Sequence, residues 1–465
     1  MTTFKCTAIA LDLGTTSIKV GLLDSEGALG HIVAHPAPKI VVNGGRYESD
    51  ALAYAAIAES VLNECITQAS GCISLGLCSQ RSSFLIWEQA SGQPITPLIS
   101  WQDNRGAASC EVLRAHEQSI RNLTGLPLTP YYFAPKLRVV LQKNPAWLAR
   151  LERGELRVGT LDTFLIWRWT GGKHFVTDAS MAARTLLMDI RQQQWSPQLC
   201  KLFGIPAHIL PEIKSSAGLN LQMNNGLVLQ ASVGDQSAAL IASVSADDAE
   251  ALINLGTGGF VVRNLEDKKT ASNGYLQTLV YQDSAGRAHF AVEGTLNSIA
   301  AALAPYPVGE CRIEYLATDE IFCLAEPSGL GAPYFRGDLD VRFSQPVENL
   351  SQRRIASLLL EAIIFRVARI LEDFHRESAI ERVYLSGGLS ELSCLQLGIA
   401  QCVPFDVYRL SQADSSLQGA ALLAVGMPSA YRRESLRISK AQDTHVLPEK
   451  YRHWKEWLDN LLNSR

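Results

Sequence analysis

A chain of 465 residues, 47% hydrophobic and 19% charged, can bury large cores, suggests two or three domains and is too apolar to be disordered. A net charge of -4 gives no broad attraction to nucleic acid or to an anionic membrane, and no apolar run reaches the roughly 20 residues that span a bilayer. Ten cysteines and nine histidines form neither CxxC pairs nor ligand-spaced clusters, which fits reduced, mostly buried thiols in a cytoplasmic protein.

The opening segment MTTFKCTAIALDLG passes from a short apolar stretch straight into a patterned strand, so a secretory leader is not expected. TAIALDLG, SIKVGLLD and GHIVAHPAP read as successive strands of a meander, with DSEG turning between the second and third. SDALAYAAIAESVLNECITQAS has helical spacing behind a Ser49/Asp50 cap, and ISLGLCSQ reads as a buried strand. LVLQASVG is strand-like and leads into Asp235, where a helix-like run begins. RRIASLLLEAIIFRVARILEDFHR predicts a long helix buried between layers. RVYLSGG is a strand that ends in a glycine turn, and LQGAALLAVG is another helix. The mixture predicts an α/β fold of helices layered on sheets.

One pattern occurs twice. IALDLGTTSIKVGLLDSEG and ALINLGTGGFVVRNLEDKK each hold an apolar strand, a polar residue (Asp12, Asn254), then Leu-Gly-Thr, small residues and a second strand. The copies lie about 240 residues apart, which suggests two domains of one topology with a hinge near Ser243 to Asp248. A glycine turn lets backbone N–H groups approach an anion, and Gly14, Thr15, Thr16, Ser17 and Lys19 add donors and charge. Gly256, Thr257, Gly258 and Gly259 supply the same in the second copy. Two such turns across a cleft could hold a chain of phosphates, with Asp12 holding Mg²⁺ through water. A single turn of this kind is also what an ordinary hairpin looks like. No Walker loop and no dinucleotide-type GxGxxG after a strand occurs.

Asp235 stands at a helix start, where it can cap the helix, act as a general base toward a substrate hydroxyl, or do both. SQRSSFLIWE and PLISWQDNRG offer Arg81 for hydroxyls and Trp101 for the apolar face of a carbon chain, although Trp101 also reads as a core aromatic. LSGGLSE and GLGAPYF are further glycine turns suited to close approach by a flat base or a phosphate.

In their order and spacing these segments resemble the FGGY carbohydrate kinases, most of all the glycerol kinase branch. The likeness runs through LDLGTTSIK, SQR and ISWQDNR, GLPLTPYYFAPKL, VTDASMAARTLL, VGDQSAAL, NLGTGGF, EGTLNSI, PSGLGAPYF and LSGGLSE. The resemblance implies two actin-like (ribonuclease H-like) domains with a cleft between them: 1–244 with the substrate and phosphate sites, and 245–465 with the nucleotide site. It implies ATP and Mg²⁺ as cofactors and a small polyol or sugar as substrate. Nucleic acid and membrane partners are not expected, and a homodimer is left open. By position Asp235 matches the catalytic base, Gln236 the substrate contact beside it, and Arg81, Trp101 and Tyr131 the glycerol contacts. Asp12, Gly14, Thr15 and Thr16 match the phosphate and metal turn, and Lys19 stands where glycerol kinases carry arginine. Gly256, Thr257 and Gly258 match the second phosphate turn, and Gly387 and Gly388 the turn near the adenosine. The chain departs from glycerol kinases in a shorter stretch from Glu293 to Gly329, in RGDLDVRFS after GLGAPYF, and in the lack of Asn in LSELS. It also has Ser82 where they have Glu. The smaller side chain points to a polyol or ketose longer than glycerol, unless another carboxylate fills the gap. A non-catalytic carbohydrate-binding or regulatory protein on the same fold is the alternative reading, and an acyl-phosphate kinase would leave Arg81 and Trp101 without a role.

Overall fold

Apolar and β-branched residues dominate the start of the chain, and they form the meander of strands Ala8–Leu13, Ser17–Leu23 and Leu29–Pro36. The computed structural model describes residues 5–464 other than 70, 246–248, 266–270, 272, 273, 412, 413, 428–430, 432 and 440–445. Part of the stretch expected to be a hinge, 246–248, therefore lies outside the described residues. The chain forms two units, Met1–Ala242 with Thr278–Phe290 and Asp414–Arg432, and Ser243–Gln277 with Ala291–Ala413 and Arg433–Arg465.

In the first unit a six-stranded sheet runs in the order Ala217–Gln222, Val228–Gly234, Ser74–Ser79, Ala8–Leu13, Ser17–Leu23, Leu29–Pro36. Val228–Gly234, Ser74–Ser79 and Ala8–Leu13 are parallel, and Ala8–Leu13 is buried along its whole length, as a strand covered on both faces must be. Side chains alternate between the faces. Ile9, Leu11 and Leu13 share a core with the helix Ala51–Ile66, whose Asp50 cap accepts from the N–H groups of Leu52 and Ala53. Ala8 and Ala10 meet Leu417 and Ala421 of the helix Ser415–Ala424. The helix lies close to the sheet, because a Cβ on Gly76 would lie 2.1 Å from the Ala420 carbonyl oxygen, and it lies close to Ala238, whose carbonyl oxygen a Cβ on Gly419 would meet at 1.8 Å. A second, five-stranded sheet orders Val41–Asn43, Arg46–Ser49, Leu98–Ile99, Phe84–Glu88 and Leu156–Thr160 over its own apolar core.

The second unit repeats the kernel. Glu250–Leu255 pairs antiparallel with Gly259–Leu265 and parallel with Arg382–Ser386, as Ala8–Leu13 does with Ser17–Leu23 and Ser74–Ser79. Asp406–Leu410 extends the parallel run. The helix Gln352–Glu377 is buried from Ala356 to Ala368, as its unbroken apolar pattern predicts. Both units are therefore α/β. The cysteines are free, most of them buried, and no described helix is long and apolar enough to cross a membrane.

Candidate active site

Leu13, Ser79 and Gly234 stand in register at the carboxyl ends of three parallel strands, the place where α/β sheets hold ligands. Asp12, one residue earlier, is buried. Its Oδ2 accepts from Ser416 Oγ at 2.7 Å, while its Oδ1 has no hydrogen-bond partner among the described residues. Burial pushes this carboxyl up to about 6, against the bond from Ser416. In the turn that follows, Gly14 N–H donates to the Ser17 carbonyl at 3.1 Å, and Tyr54 of the first helix donates to the Gly14 carbonyl at 3.2 Å. Lys19 is paired with Asp414 at 2.5 Å.

Asp235 opens the helix Asp235–Ser243 directly after the strand Val228–Gly234. Its Oδ1 accepts from the Gln236 N–H at 2.7 Å and lies 3.5 Å from Arg81 Nε, and Arg81 also donates to Gln236 Oε1. Burial raises the Asp235 carboxyl, and the Arg81 and Arg184 guanidiniums oppose that rise. A buried relay fixes the junction: Gly234 N–H donates to Ser180 Oγ at 2.8 Å, and Ser180 Oγ and Ser216 Oγ donate to Asp178 at 3.1 and 2.6 Å.

Trp101 and Tyr131 are 38% and 53% exposed, with ring centroids 6.5 Å apart, so Trp101 is a surface aromatic and not a core one. Trp101 Nε1 donates to Thr15 Oγ1 at 3.1 Å, which joins the aromatic pair to the first glycine turn. Ser82 is buried with φ of 62°, and its hydroxyl donates to the Arg184 carbonyl at 2.9 Å. Ser83 Oγ donates to Gln80 Oε1 and accepts from the Trp101 N–H. Both hydroxyls are thus engaged within the protein. Lys136, fully buried, donates to the Ser82 and Ser100 carbonyls at 3.0 and 2.8 Å and ties the Arg81 loop to the Trp101 loop. Burial pushes its ammonium down to about 7.

In the second unit Gly256–Gly258 and Gly387–Gly388 follow the adjacent parallel strands Glu250–Leu255 and Arg382–Ser386. Gly256 N–H donates to the Gly258 carbonyl at 2.8 Å, and Ala300 N–H to the Thr257 carbonyl at 3.2 Å. Gly387 has φ of 88°, and a Cβ there would lie 2.4 Å from the Leu255 carbonyl oxygen, so only glycine fits. The structure thus brings Asp12, Thr15, Thr16, Lys19, Arg81, Trp101, Tyr131, Asp235 and Gln236 into the first unit, and the two glycine turns side by side in the second. Sequence reasoning missed Lys136, Arg184 and Ser416; a lone charge in an apolar run marks Arg184, Lys136 has Arg138 two residues on and no mark of its own, and Ser416 looks like part of a helix cap.

The model of the FGGY family of carbohydrate kinases matches the chain twice, its N-terminal domain over residues 7–253 and its C-terminal domain over residues 251–427. A glycerol kinase of Rhodopirellula baltica is 30% identical over 461 residues, 94% of this chain and 85% of that protein. The fold is similar to that of Plasmodium falciparum glycerol kinase with ADP, with a TM-score of 0.87 and 24% identity over 99% of this chain and 100% of the other. It is also similar to a xylulose kinase from Rhodospirillum rubrum, with a TM-score of 0.81 and 19% identity over 97% of this chain and 98% of the other. With the two domain models together matched over residues 7–427, the chain belongs to the FGGY family of carbohydrate kinases and is a kinase, for which ATP is the phosphoryl donor.

Proposed function

We propose that this enzyme transfers the γ-phosphoryl group of ATP to a hydroxyl of a polyol or sugar, with Asp235 as the general base. The observation that carries the reading is the setting of Asp235: a half-buried carboxylate at a strand end, held by Arg81 and Gln236. Asp235 takes the proton as the acceptor oxygen attacks phosphorus. Arg81 donates to acceptor hydroxyls, and Trp101 and Tyr131 cover the carbon chain. The first glycine turn, with Thr15, Thr16 and Lys19, faces the phosphates. In the second unit Gly256, Thr257 and Gly258 bind phosphate, and Gly387 and Gly388 the adenosine part. Substrate and phosphate binding then fall to 1–244 and nucleotide binding to 245–465.

Asp12 fits Mg²⁺, because its orphaned buried oxygen suits a hydrated hard cation. When bound, the ion would offset the negative charge of the phosphates. Ser82 brings no carboxylate and its hydroxyl is spent on the Arg184 carbonyl, so the site lacks one strong acceptor for glycerol, which supports a four- to seven-carbon polyol or ketose as the acceptor. Loss of a charged hydrogen bond weakens binding by about tenfold to a hundredfold.

The test is an ATP-coupled assay over glycerol and C4 to C7 polyols, ketoses and aldonates, in which glycerol should have a low kcat/KM. On the acceptor that turns over, Asp235→Asn should fold normally and lose about 10²–10⁴-fold in kcat. Near-normal turnover by that variant would remove Asp235 from the role of base.

A further inference from the structure

Five lysines and arginines are buried among the described residues: Lys136, Arg184, Arg263, Arg366 and Lys450. Four of them make hydrogen bonds or an ion pair within the protein. Lys136 and Arg263 each donate to two backbone carbonyls, Arg366 is paired with Glu326, and Lys450 with Glu361. Arg184 differs. It is 8% exposed, its guanidinium makes no hydrogen bond or ion pair among the described residues, and its Nη1 is buried without a partner. The Asp235 carboxylate is near enough to feel its charge but makes no bond to it, and a guanidinium taken out of water without a hydrogen-bonded partner is costly, so its donors are kept for something else that meets them.

The surroundings say what that is. Arg184 closes the short helix Ala179–Ala183, the helix whose Ser180 holds Gly234 beside Asp235. Its own carbonyl takes the Ser82 hydroxyl, one residue from Arg81, and its guanidinium lies over the Tyr132 ring with its carbon 5.8 Å from the centroid. The side chain is thus built into the wall that carries Arg81 and Asp235. A guanidinium presents a planar fork of donors that matches an oxyanion. We propose that Arg184 is an oxyanion-binding residue of the acceptor site, meeting a phosphoryl or carboxylate group carried by the molecule that Asp235 and Arg81 hold. The proposal rests on the reading of that site as the acceptor site. The oxyanion has two sources there: the phosphoryl group once it sits on the acceptor oxygen, or a carboxylate that the acceptor itself bears, as in an aldonate.

The test is direct binding without ATP, read by tryptophan fluorescence or calorimetry, with two matched pairs: glycerol against glycerol 3-phosphate, and glucitol against gluconate. The wild type should bind at least one anionic member more tightly than its neutral partner. Arg184→Gln should weaken that anionic ligand by about tenfold to a hundredfold and leave the neutral one unchanged. A loss confined to the phosphate pair assigns Arg184 to the transferred group; a loss confined to the carboxylate pair assigns it to the acceptor. A wild type with no preference for either anion, or a variant weakened equally for neutral and anionic ligands, overturns the proposal. Arg184→Lys keeps the charge and loses the fork; it should show a smaller loss on the anionic ligands alone, and it reads the same split if the Gln variant does not fold. Asp235→Asn separates the two readings, because it should cut turnover by about 10²–10⁴-fold while anion binding persists.

Discussion

Asp162 shows at the scale of one residue how burial governs behaviour with pH. It is fully buried; Thr177 Oγ1 donates to its Oδ2 at 3.3 Å, and its Oδ1 has no partner among the described residues. Burial pushes its carboxyl up to about 7 from an ordinary 3.8, and those of Asp12 and Asp178 up to about 6. Between the unfolded and folded values the native protein binds a proton that the unfolded chain has released, so stability is greatest at low pH and declines as pH rises through this window. Asp162→Asn removes the charge and should flatten that decline, raising stability at about pH 8 relative to the wild type. Urea unfolding at about pH 5 and pH 8 checks it; a variant less stable than the wild type at both would show that the carboxylate is not the cost. Asp235 shares the upward shift, so with Asp235 as the proposed base the activity should fall on the acid side from a pH above the usual carboxylate range.

At the scale of elements, the long helix Gln352–Glu377 does more than fill the core. Its Arg366 donates to Glu326 at 2.8 Å and to the Thr295 and Ala332 carbonyls at 3.2 Å, and Glu326 Oε2 accepts from the Asn297 and Gly331 N–H groups at 2.8 and 2.9 Å. One buried pair therefore clasps the end of strand Ala288–Leu296 to the loop of Gly329 and Gly331. Glu326→Gln leaves Arg366 uncompensated and should destabilise the protein by about 3–5 kcal/mol, whereas joint replacement of Glu326 by Leu and Arg366 by Met should cost less. Chemical unfolding of the three variants measures this, and a double variant worse than the single one would refute it. The clasp was not legible in the sequence. Arg366 sits in an apolar helical run, where a lone charge reads as a solvated position, and its partner is 40 positions away. The strands at Asp12, Ser79 and Asp235 were legible, since their periodicity and glycine turns are local signals. Arg184 and Lys136 were not, because their meaning lies in what surrounds them in space. Lys19 read as a phosphate ligand, and its pairing with Asp414, far along the chain, carries no local mark either.

On the scale of the whole molecule, the helix Ser415–Ala424 was legible as a helix but not as part of the first unit, where its backbone approaches Ala238 at Gly419. Gly419→Val should separate the two helices at a cost of about 1–3 kcal/mol and so lower Tm by about 1–3 degrees in a chain of this size; an unchanged Tm would mean the contact gives way without cost. The same helix supplies Ser416 to Asp12, and the residue before it supplies Asp414 to Lys19. The consequence lies in time. A ribosome releases the strand with Asp12 404 residues before the Ser416 that completes its surroundings. Every nascent chain thus waits with one face of its first sheet uncovered, open to chaperones, and a transcript cut short before Ser415 yields a protein whose first unit is never closed.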